Sequence, residues 1–104
     1  MGKQKLFFRP RARSDALDIA IFIGRDNPKA AAQFLRALEY TCHNIAVLPE
    51  IGSRRSYRHP ALKEVRMFSV NKFKNYLIFY QSNAGAVDIV RIIHGARDLP
   101  ILFG

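Results

Sequence analysis

The sequence predicts an α+β domain in which a helical hairpin packs on a small, mostly antiparallel sheet, in the order β-α-α-β-β-β. Three observations lead to this fold class. Two segments with helical spacing fill the first half of the chain. Three β-type segments separated by short turns fill the second half. The length of 104 residues suits a single domain, so residues 1–104 are treated as one unit.

The first strand and the first helix are predicted near the N-terminus. Residues 5–9 are apolar and basic and form a short strand that Pro10 ends. Ser14 suits an N-cap, because its hydroxyl can accept a bond from the free backbone N–H groups of a helix start. The helix that follows extends to about Asp26.

A second helix is predicted directly after the first. Asn27 can cap it, and Pro28 suits its first position, where a missing N–H does no harm. Pro49 and Gly52 end it. So short a connection between two helices favours an antiparallel hairpin. One face is apolar and consists of Ala31, Phe34, Leu35, Leu38, Cys42, Ile45 and Leu48.

The remaining chain has the pattern of an antiparallel sheet. Residues 53–60 form a basic loop or an irregular edge, and strands follow over about 63–70, 76–81 and 87–93. Residues 82–85 form a hairpin turn between the last two strands. Alternation in the last strand predicts one side with Val87, Ile89, Arg91 and Ile93 and another with Asp88, Val90 and Ile92.

Charge is the most informative feature of the composition. Seventeen Lys and Arg against eight Asp and Glu give a net charge of +9, which favours an acidic partner such as a nucleic acid or an acidic protein. We expect no metal site and no cofactor, because no zinc spacing and no glycine-rich phosphate loop is present.

The sequence also predicts where the protein resides. No apolar stretch approaches the ~20 residues that span a bilayer, and the apolar run near the N-terminus is too short for a signal peptide. The single Cys42 cannot form an intramolecular disulfide and lies on the apolar helix face, where it is expected in the core. We therefore expect a cytoplasmic protein without a membrane partner.

Several motifs in order resemble the ParE branch of the ParE/RelE toxin superfamily. They are Asn27-Pro28 before an Ala-rich helix, Leu48-Pro49-x-x-Gly52, residues 76–80 (YLIFY) and residues 91–98 (RIIHGARD). The similarity extends over about residues 6–99, nearly the whole chain.

The resemblance implies the toxin component of a type II toxin–antitoxin system, of the kind that stabilises plasmids. Such a toxin is neutralised by a ParD-like antitoxin whose C-terminal segment folds on binding. ParE-type members are associated with inhibition of DNA gyrase by binding, without catalysis. The alternative is the RelE type, a ribosome-dependent mRNA endonuclease. A third reading is a degenerate toxin kept only as a binding module. All three readings stay open from the sequence, and the ParE type is favoured.

An endonuclease would need a general acid–base group and cations around the scissile phosphate. His94 is the candidate acid–base group, and the candidate cations are Lys63, Arg66, Arg91 and Arg97. The preferred alternative is that His94 bonds the backbone at a strand end and shapes the tail. The last residues, 99–104, carry no titratable side chain, unlike the usual endonuclease ending.

Two kinds of contact surface are expected. A groove for an amphipathic antitoxin helix would be lined by Leu17, Ile21, Phe34, Leu35 and Leu38, although these apolar side chains could equally be core. Contacts to the target are assigned to Arg54, Arg55, Arg58, His94 and Arg97.

The basic loop and the apolar tail each allow more than one interpretation. The loop, which also contains Tyr57 and His59, could bind phosphate or a base, attract an acidic antitoxin tail, or simply be solvated. Arg97 and Asp98 could bind a partner or pair with each other. The tail residues Leu99, Ile101, Leu102 and Phe103 either pack on the sheet, which is favoured, or form a docking patch.

Overall fold

The computed structural model describes residues 3–58, 60 and 63–102, with side chains as far as residue 100. Its elements confirm the predicted α+β class and the predicted order. They are β1 (Lys5–Phe8), α1 (Pro10–Asp26), α2 (Pro28–Val47), a 3-10 turn (Pro49–Ile51), β2 (Ser53–Arg55), β3 (Val65–Val70), β4 (Phe73–Asn83), β5 (Ala86–His94) and α3 (Gly95–Leu102). The short edge strand β2 lies in the segment expected as a loop or irregular edge, and α3 was not predicted.

The five strands form one sheet in the order β1-β5-β4-β3-β2. The pairs β2–β3, β3–β4 and β4–β5 are antiparallel, as the short turns between the last strands require. β1 pairs with β5 in parallel. The helical hairpin returns the chain to the end of the sheet where β1 stops, and β2, β3 and β4 then alternate in direction, so β5 runs in the same direction as β1.

The start of α1 differs from the prediction. The helix begins at Pro10, with Arg9 in an extended conformation as its N-cap, so Ser14 lies inside the helix and does not cap it. Proline fits the first helical position, where its fixed φ is already helical. The predicted cap of α2 is confirmed, because Asn27 Oδ1 accepts a bond of 3.0 Å from the backbone N–H of Ala30.

The main core lies between the helices and one face of the sheet. Phe34 is fully buried there and makes edge-to-face contacts with Phe73 and Tyr76, with ring centroids 5.4 and 5.2 Å apart. Cys42 is also fully buried, as predicted, and burial raises the pKa of its thiol to about 12. The thiol is therefore protonated at neutral pH.

A second, smaller cluster covers the opposite face of the sheet. Its buried members are Val65, Phe79, Val90 and Ile93, and the partly buried members include Tyr57 and Leu99. The face that the helical hairpin leaves free is thus covered by the segment after β2 and by α3. In the described part of the chain, no helix has both the length and the apolarity needed to cross a bilayer.

The alternation predicted for the last strand is wrong beyond Val90. Tyr80 pairs with Ile89 but Phe79 pairs with Arg91, so Val90 is an extra residue in a β-bulge. As a result, Ile92 lies in the main core together with Ile89, whereas Val90 lies in the second cluster. The bulge depends on strand pairing, which a pattern of single residues does not reveal.

A buried carboxylate on α1 binds the part of β5 that β1 does not reach. β1 pairs only with residues 86–89 of β5. Further along, Asp15 accepts a bond of 3.0 Å from the backbone N–H of Ile92 and one of 2.7 Å from Arg91 Nε. Asp15 is only 8% exposed, so this contact attaches α1 to the sheet through a nearly dry ion pair.

Replacement of Asp15 by Asn should lower the free energy of unfolding by about 3 kcal/mol, because it leaves the Arg91 guanidinium without its buried counter-charge. Urea denaturation measures this loss. Asp18→Asn is the matched control, because Asp18 lies on the same helix but is exposed and forms no ion pair among the described residues, and it should change stability by less than about 0.5 kcal/mol. Equal losses in the two variants would contradict the role of Asp15.

Candidate interaction surfaces

A cleft of about 690 Å³ opens beside β2 and β3. We call it the basic cleft, because three arginines line it: Arg54 and Arg55 from β2 and Arg66 from β3. The remaining lining residues are Gln4, Pro49, Glu50, Ser56, Glu64, Val65, Tyr80, Gln81, Ser82 and Asn83. The lining is mostly polar, which suits a charged or hydrogen-bonding ligand better than an apolar one.

Tyr80 fixes the wall of the basic cleft. Its hydroxyl donates a bond of 2.7 Å to the carbonyl of Pro49 and accepts one of 2.9 Å from the N–H of Gly52. A Cβ at position 52 would lie 2.6 Å from that hydroxyl and 2.9 Å from the carbonyl of Met67, so the contact requires glycine. Burial raises the pKa of Tyr80, which keeps the donating proton in place.

Arg66 is held in place by backbone carbonyls. Its Nη1 donates to the carbonyl of Gly52 at 2.7 Å and to that of Glu50 at 3.3 Å. Across the strand pair, Arg66 lies directly opposite Arg54. Within the described residues, neither arginine forms an ion pair, so two positive charges face each other without a carboxylate between them.

The exposed apolar side chains of α1 form a second surface. Leu17 and Ile21 lie one helical turn apart and are 60% and 59% exposed. We call this pair the α1 apolar surface. Of the other residues assigned to the antitoxin groove, Leu35 on α2 is 40% exposed, whereas Phe34 and Leu38 are buried in the core and offer a partner almost no surface.

His94, Arg97 and Asp98 form the start of α3. The ring Nδ1 of His94 accepts a bond of 3.1 Å from the N–H of Arg97, and Asp98 accepts one of 3.1 Å from the N–H of His94. Arg97 pairs with Asp98 at 2.9 Å, which lowers the pKa of the Asp98 carboxyl. Its guanidinium also lies 5.5 Å from the Phe22 ring. These contacts agree with two of the sequence interpretations: that His94 bonds the backbone at a strand end, and that Arg97 and Asp98 pair with each other.

The candidate endonuclease residues do not form one cluster but lie in separate parts of the structure. Arg91 and Arg97 border a groove of about 410 Å³ between α1 and β5, but each is already paired, with Asp15 and Asp98 respectively. His94 is engaged in the start of α3. Arg66 lines the basic cleft, and Lys63 is exposed in the turn before β3.

The residues assigned to the target also form two groups. Arg54 and Arg55 lie in the basic cleft, and Arg58 is exposed shortly after β2. His94 and Arg97 lie at α3. His59 is outside the described residues.

The apolar tail packs where it can be described. Leu99 is partly buried against the second cluster, as the packing interpretation predicted. Phe103 and the side chains of Ile101 and Leu102 are outside the described part of the structure. Among the described residues, no group of His, Cys, Asp and Glu has the arrangement of a metal site.

Sequence reasoning missed two contacts that shape these surfaces. Nothing in the sequence around Asp15 indicates its bond to β5. The contact between Tyr80 and Gly52 had a partial signal, since Gly52 belongs to the Leu48-Pro49-x-x-Gly52 motif. A glycine after a helix end suggests a helix stop or a close approach, and here the close approach is observed.

Tyr80→Phe should lower the free energy of unfolding by about 2 kcal/mol, because the carbonyl of Pro49 and the N–H of Gly52 both lose their partner. Thermal or urea denaturation measures the loss, and hydrogen exchange at the Gly52 amide should accelerate. Tyr40→Phe, at a tyrosine that is 57% exposed, is the control and should be nearly neutral. A Tyr80→Phe protein as stable as the parent would show that the hydroxyl contributes nothing.

The fold is similar to that of a protein of known structure. One solved structure, titled "Chromosomal ParDE TA system from P. aeruginosa", is similar with a TM-score of 0.71 and 15% sequence identity, over 88% of this chain and 96% of that chain. At this identity the likeness concerns the fold. None of the curated protein sequences matches the chain.

The sequence itself identifies the family. Residues 6–99 match the family described as "ParE toxin of type II toxin-antitoxin system, parDE". This range includes α1 with its apolar surface, the three arginines of the basic cleft and the first turn of α3. The chain therefore belongs to the ParE toxin family of type II toxin–antitoxin systems.

Proposed function

We propose that this toxin arrests growth by binding DNA gyrase, without catalysing a reaction itself, and that a ParD-like antitoxin neutralises it. The single observation that carries the proposal is membership of the ParE family over nearly the whole chain. The geometry around His94 adds support, since the imidazole accepts a backbone bond at the start of α3 and the nearby Arg97 is paired with Asp98.

The gyrase proposal is tested with the purified toxin. In a supercoiling assay, addition of the toxin to gyrase and relaxed plasmid should reduce supercoiling in proportion to toxin concentration. After expression in cells without antitoxin, total mRNA should remain intact while DNA damage accumulates. Unchanged supercoiling at a large excess of folded toxin rejects gyrase as the target.

The role of His94 separates the proposal from the endonuclease alternative. His94→Asn removes the titratable imidazole but keeps an acceptor for the N–H of Arg97. The variant should therefore still arrest growth, and the amount of toxin needed for arrest should change by no more than a few-fold in either direction. A folded, stable variant that is harmless, together with mRNA cleavage by the parent toxin, supports the endonuclease instead.

The α1 apolar surface is the proposed contact for the antitoxin. Leu17 and Ile21 present large apolar side chains in the spacing that an amphipathic helix can cover. Leu35 extends the apolar area available on the helical hairpin. Burial of one such side chain contributes about 1.5–3 kcal/mol, so the surface can supply much of the affinity of a small interface.

Leu17→Glu and Ile21→Glu should each weaken antitoxin binding by at least about tenfold, because each places a charge in an apolar contact. Isothermal titration calorimetry or surface plasmon resonance with the cognate antitoxin measures the change. Val47→Glu is the matched control, since Val47 is 57% exposed at the far end of α2. Unchanged affinity in folded Leu17 and Ile21 variants would place the antitoxin elsewhere.

A further inference from the structure

We infer that the basic cleft binds the phosphodiester backbone of duplex DNA, so that the toxin contacts the DNA held by its target as well as the target protein. The choice of DNA as the source of the phosphates rests on the proposed function, because gyrase acts on duplex DNA. The anion site itself rests on the geometry of β2 and β3 alone.

The first argument is that the arginines of the cleft are not neutralised. Elsewhere in the described residues, four arginines have carboxylate partners: Arg9 with Asp88, Arg11 and Arg91 with Asp15, and Arg97 with Asp98. Four other described arginines form no ion pair, but none of them lines the cleft or faces another arginine across a strand pair: Arg13, Arg25, Arg36 and Arg58. In the basic cleft, Arg54, Arg55 and Arg66 have none. Glu50 and Glu64 also line the cleft but form no ion pair there, so they reduce the positive potential without occupying the guanidinium groups.

The second argument is that like charges face each other. Arg54 and Arg66 are direct cross-strand neighbours on β2 and β3. Two positive charges in this position destabilise a strand pair, and an anion bound between them would remove the repulsion. A phosphodiester carries its charge on two free oxygens, which match the planar donor groups of arginine.

The third argument is that Arg66 is positioned before any ligand arrives. Its Nη1 is held by the carbonyls of Gly52 and Glu50, and Gly52 is in turn held by Tyr80. Arg66 Nε and Nη2 make no contact with a carboxylate among the described residues and stay available as donors. A guanidinium fixed in this way loses little conformational freedom when it binds an anion.

The segment that contributes to the cleft is rich in positive charge, and the cleft also has neutral donors. From residue 53 to residue 66 the sequence contains five Lys and Arg and a single acidic residue, Glu64. Ser56, Ser82 and Asn83 line the cleft and can donate to phosphate or sugar oxygens. An acidic peptide is disfavoured, because the cleft offers it little apolar surface in addition to charge.

Fluorescence anisotropy with a labelled short DNA duplex and the full-length toxin, free of antitoxin, tests the inference at several salt concentrations. Arg54→Gln/Arg55→Gln removes two exposed charges and leaves Arg66 in place. The matched control, Lys29→Gln/Arg36→Gln, removes two exposed charges from α2, outside the cleft. Urea denaturation confirms that both variants are folded.

The parent toxin should bind the duplex with an affinity that falls steeply with salt. Loss of two phosphate contacts should make the affinity ratio between 50 and 200 mM salt about tenfold smaller for Arg54→Gln/Arg55→Gln than for the parent, whereas the control keeps the parent ratio. Equal effects of the two variants would show that only net charge matters and would overturn the inference, as would an absence of binding by the parent.

Two competitors identify the source of the anion. Single-stranded RNA of the same length or a polyglutamate peptide of the same charge should bind more weakly than duplex DNA at matched salt. Tighter binding of either through Arg54 and Arg55 overturns the assignment to DNA.

A parallel supercoiling assay keeps this inference distinct from the proposed function. Toxin that inhibits gyrase yet does not bind DNA refutes the DNA contact and leaves the gyrase proposal intact. Toxin that binds DNA through the cleft yet leaves gyrase active supports the cleft as a DNA site and rejects gyrase as the target.

Discussion

The bond between Asp15 and the edge of β5 is the constraint on which the arrangement of this toxin depends. β1 has four residues and covers only the first half of β5, so the second half needs another partner for its backbone. A buried N–H without an acceptor would cost about 1–3 kcal/mol. The carboxylate of Asp15 satisfies the N–H of Ile92 and also neutralises Arg91, so α1 is attached to the sheet in one orientation. Leu17 then lies about 200° around the helix from Asp15, and it points away from this contact.

The arginines near the two edges of the sheet have different partners. On the side of β1, β5 and α3, carboxylates pair with Arg9, Arg91 and Arg97, and these bonds hold the elements together. On the side of β2 and β3, the arginines are bound only to backbone carbonyls or to solvent. Part of the unpaired positive charge therefore lies around the basic cleft, where a partner can use it.

Sequence patterns predicted the elements well because burial repeats with the period of each element. α2 carries the helical period over many residues, and β4 carries a continuous aromatic and apolar run that is buried on both faces of the sheet, so both were located. The start of α1 was misplaced because Ser14 and Pro10 each satisfy a rule for helix starts, and only packing decides between them. α3 was missed because Pro100 and Gly95 lower its helix propensity. Its bonds among His94, Arg97 and Asp98 and the packing of Leu99 on the sheet compensate.

The candidate surfaces were harder to predict, for a related reason. Periodicity shows that Phe34, Leu35 and Leu38 share an apolar helix face, but it does not show how far the sheet covers that face. Coverage depends on the angle at which the hairpin lies on the sheet. Phe34 is enclosed by Phe73 and Tyr76, whereas the neighbouring Leu35 remains exposed. The basic cleft likewise requires β2 and β3 to pair, which brings Arg54 opposite Arg66 from positions twelve residues apart.

The two surfaces have different consequences for how the toxin could be controlled. The residues of the α1 apolar surface are not among those that line the basic cleft, so an antitoxin helix on Leu17 and Ile21 can bind without displacing an anion near Arg66. If both proposed contacts hold, binding of an antitoxin to α1 alone would leave the affinity of the basic cleft for a polyanion unchanged. To suppress both contacts, the antitoxin must continue past the hairpin and place acidic residues at β2. Under the two proposals, the separation of these surfaces would thus constrain the length and charge of the antitoxin segment beyond its helix.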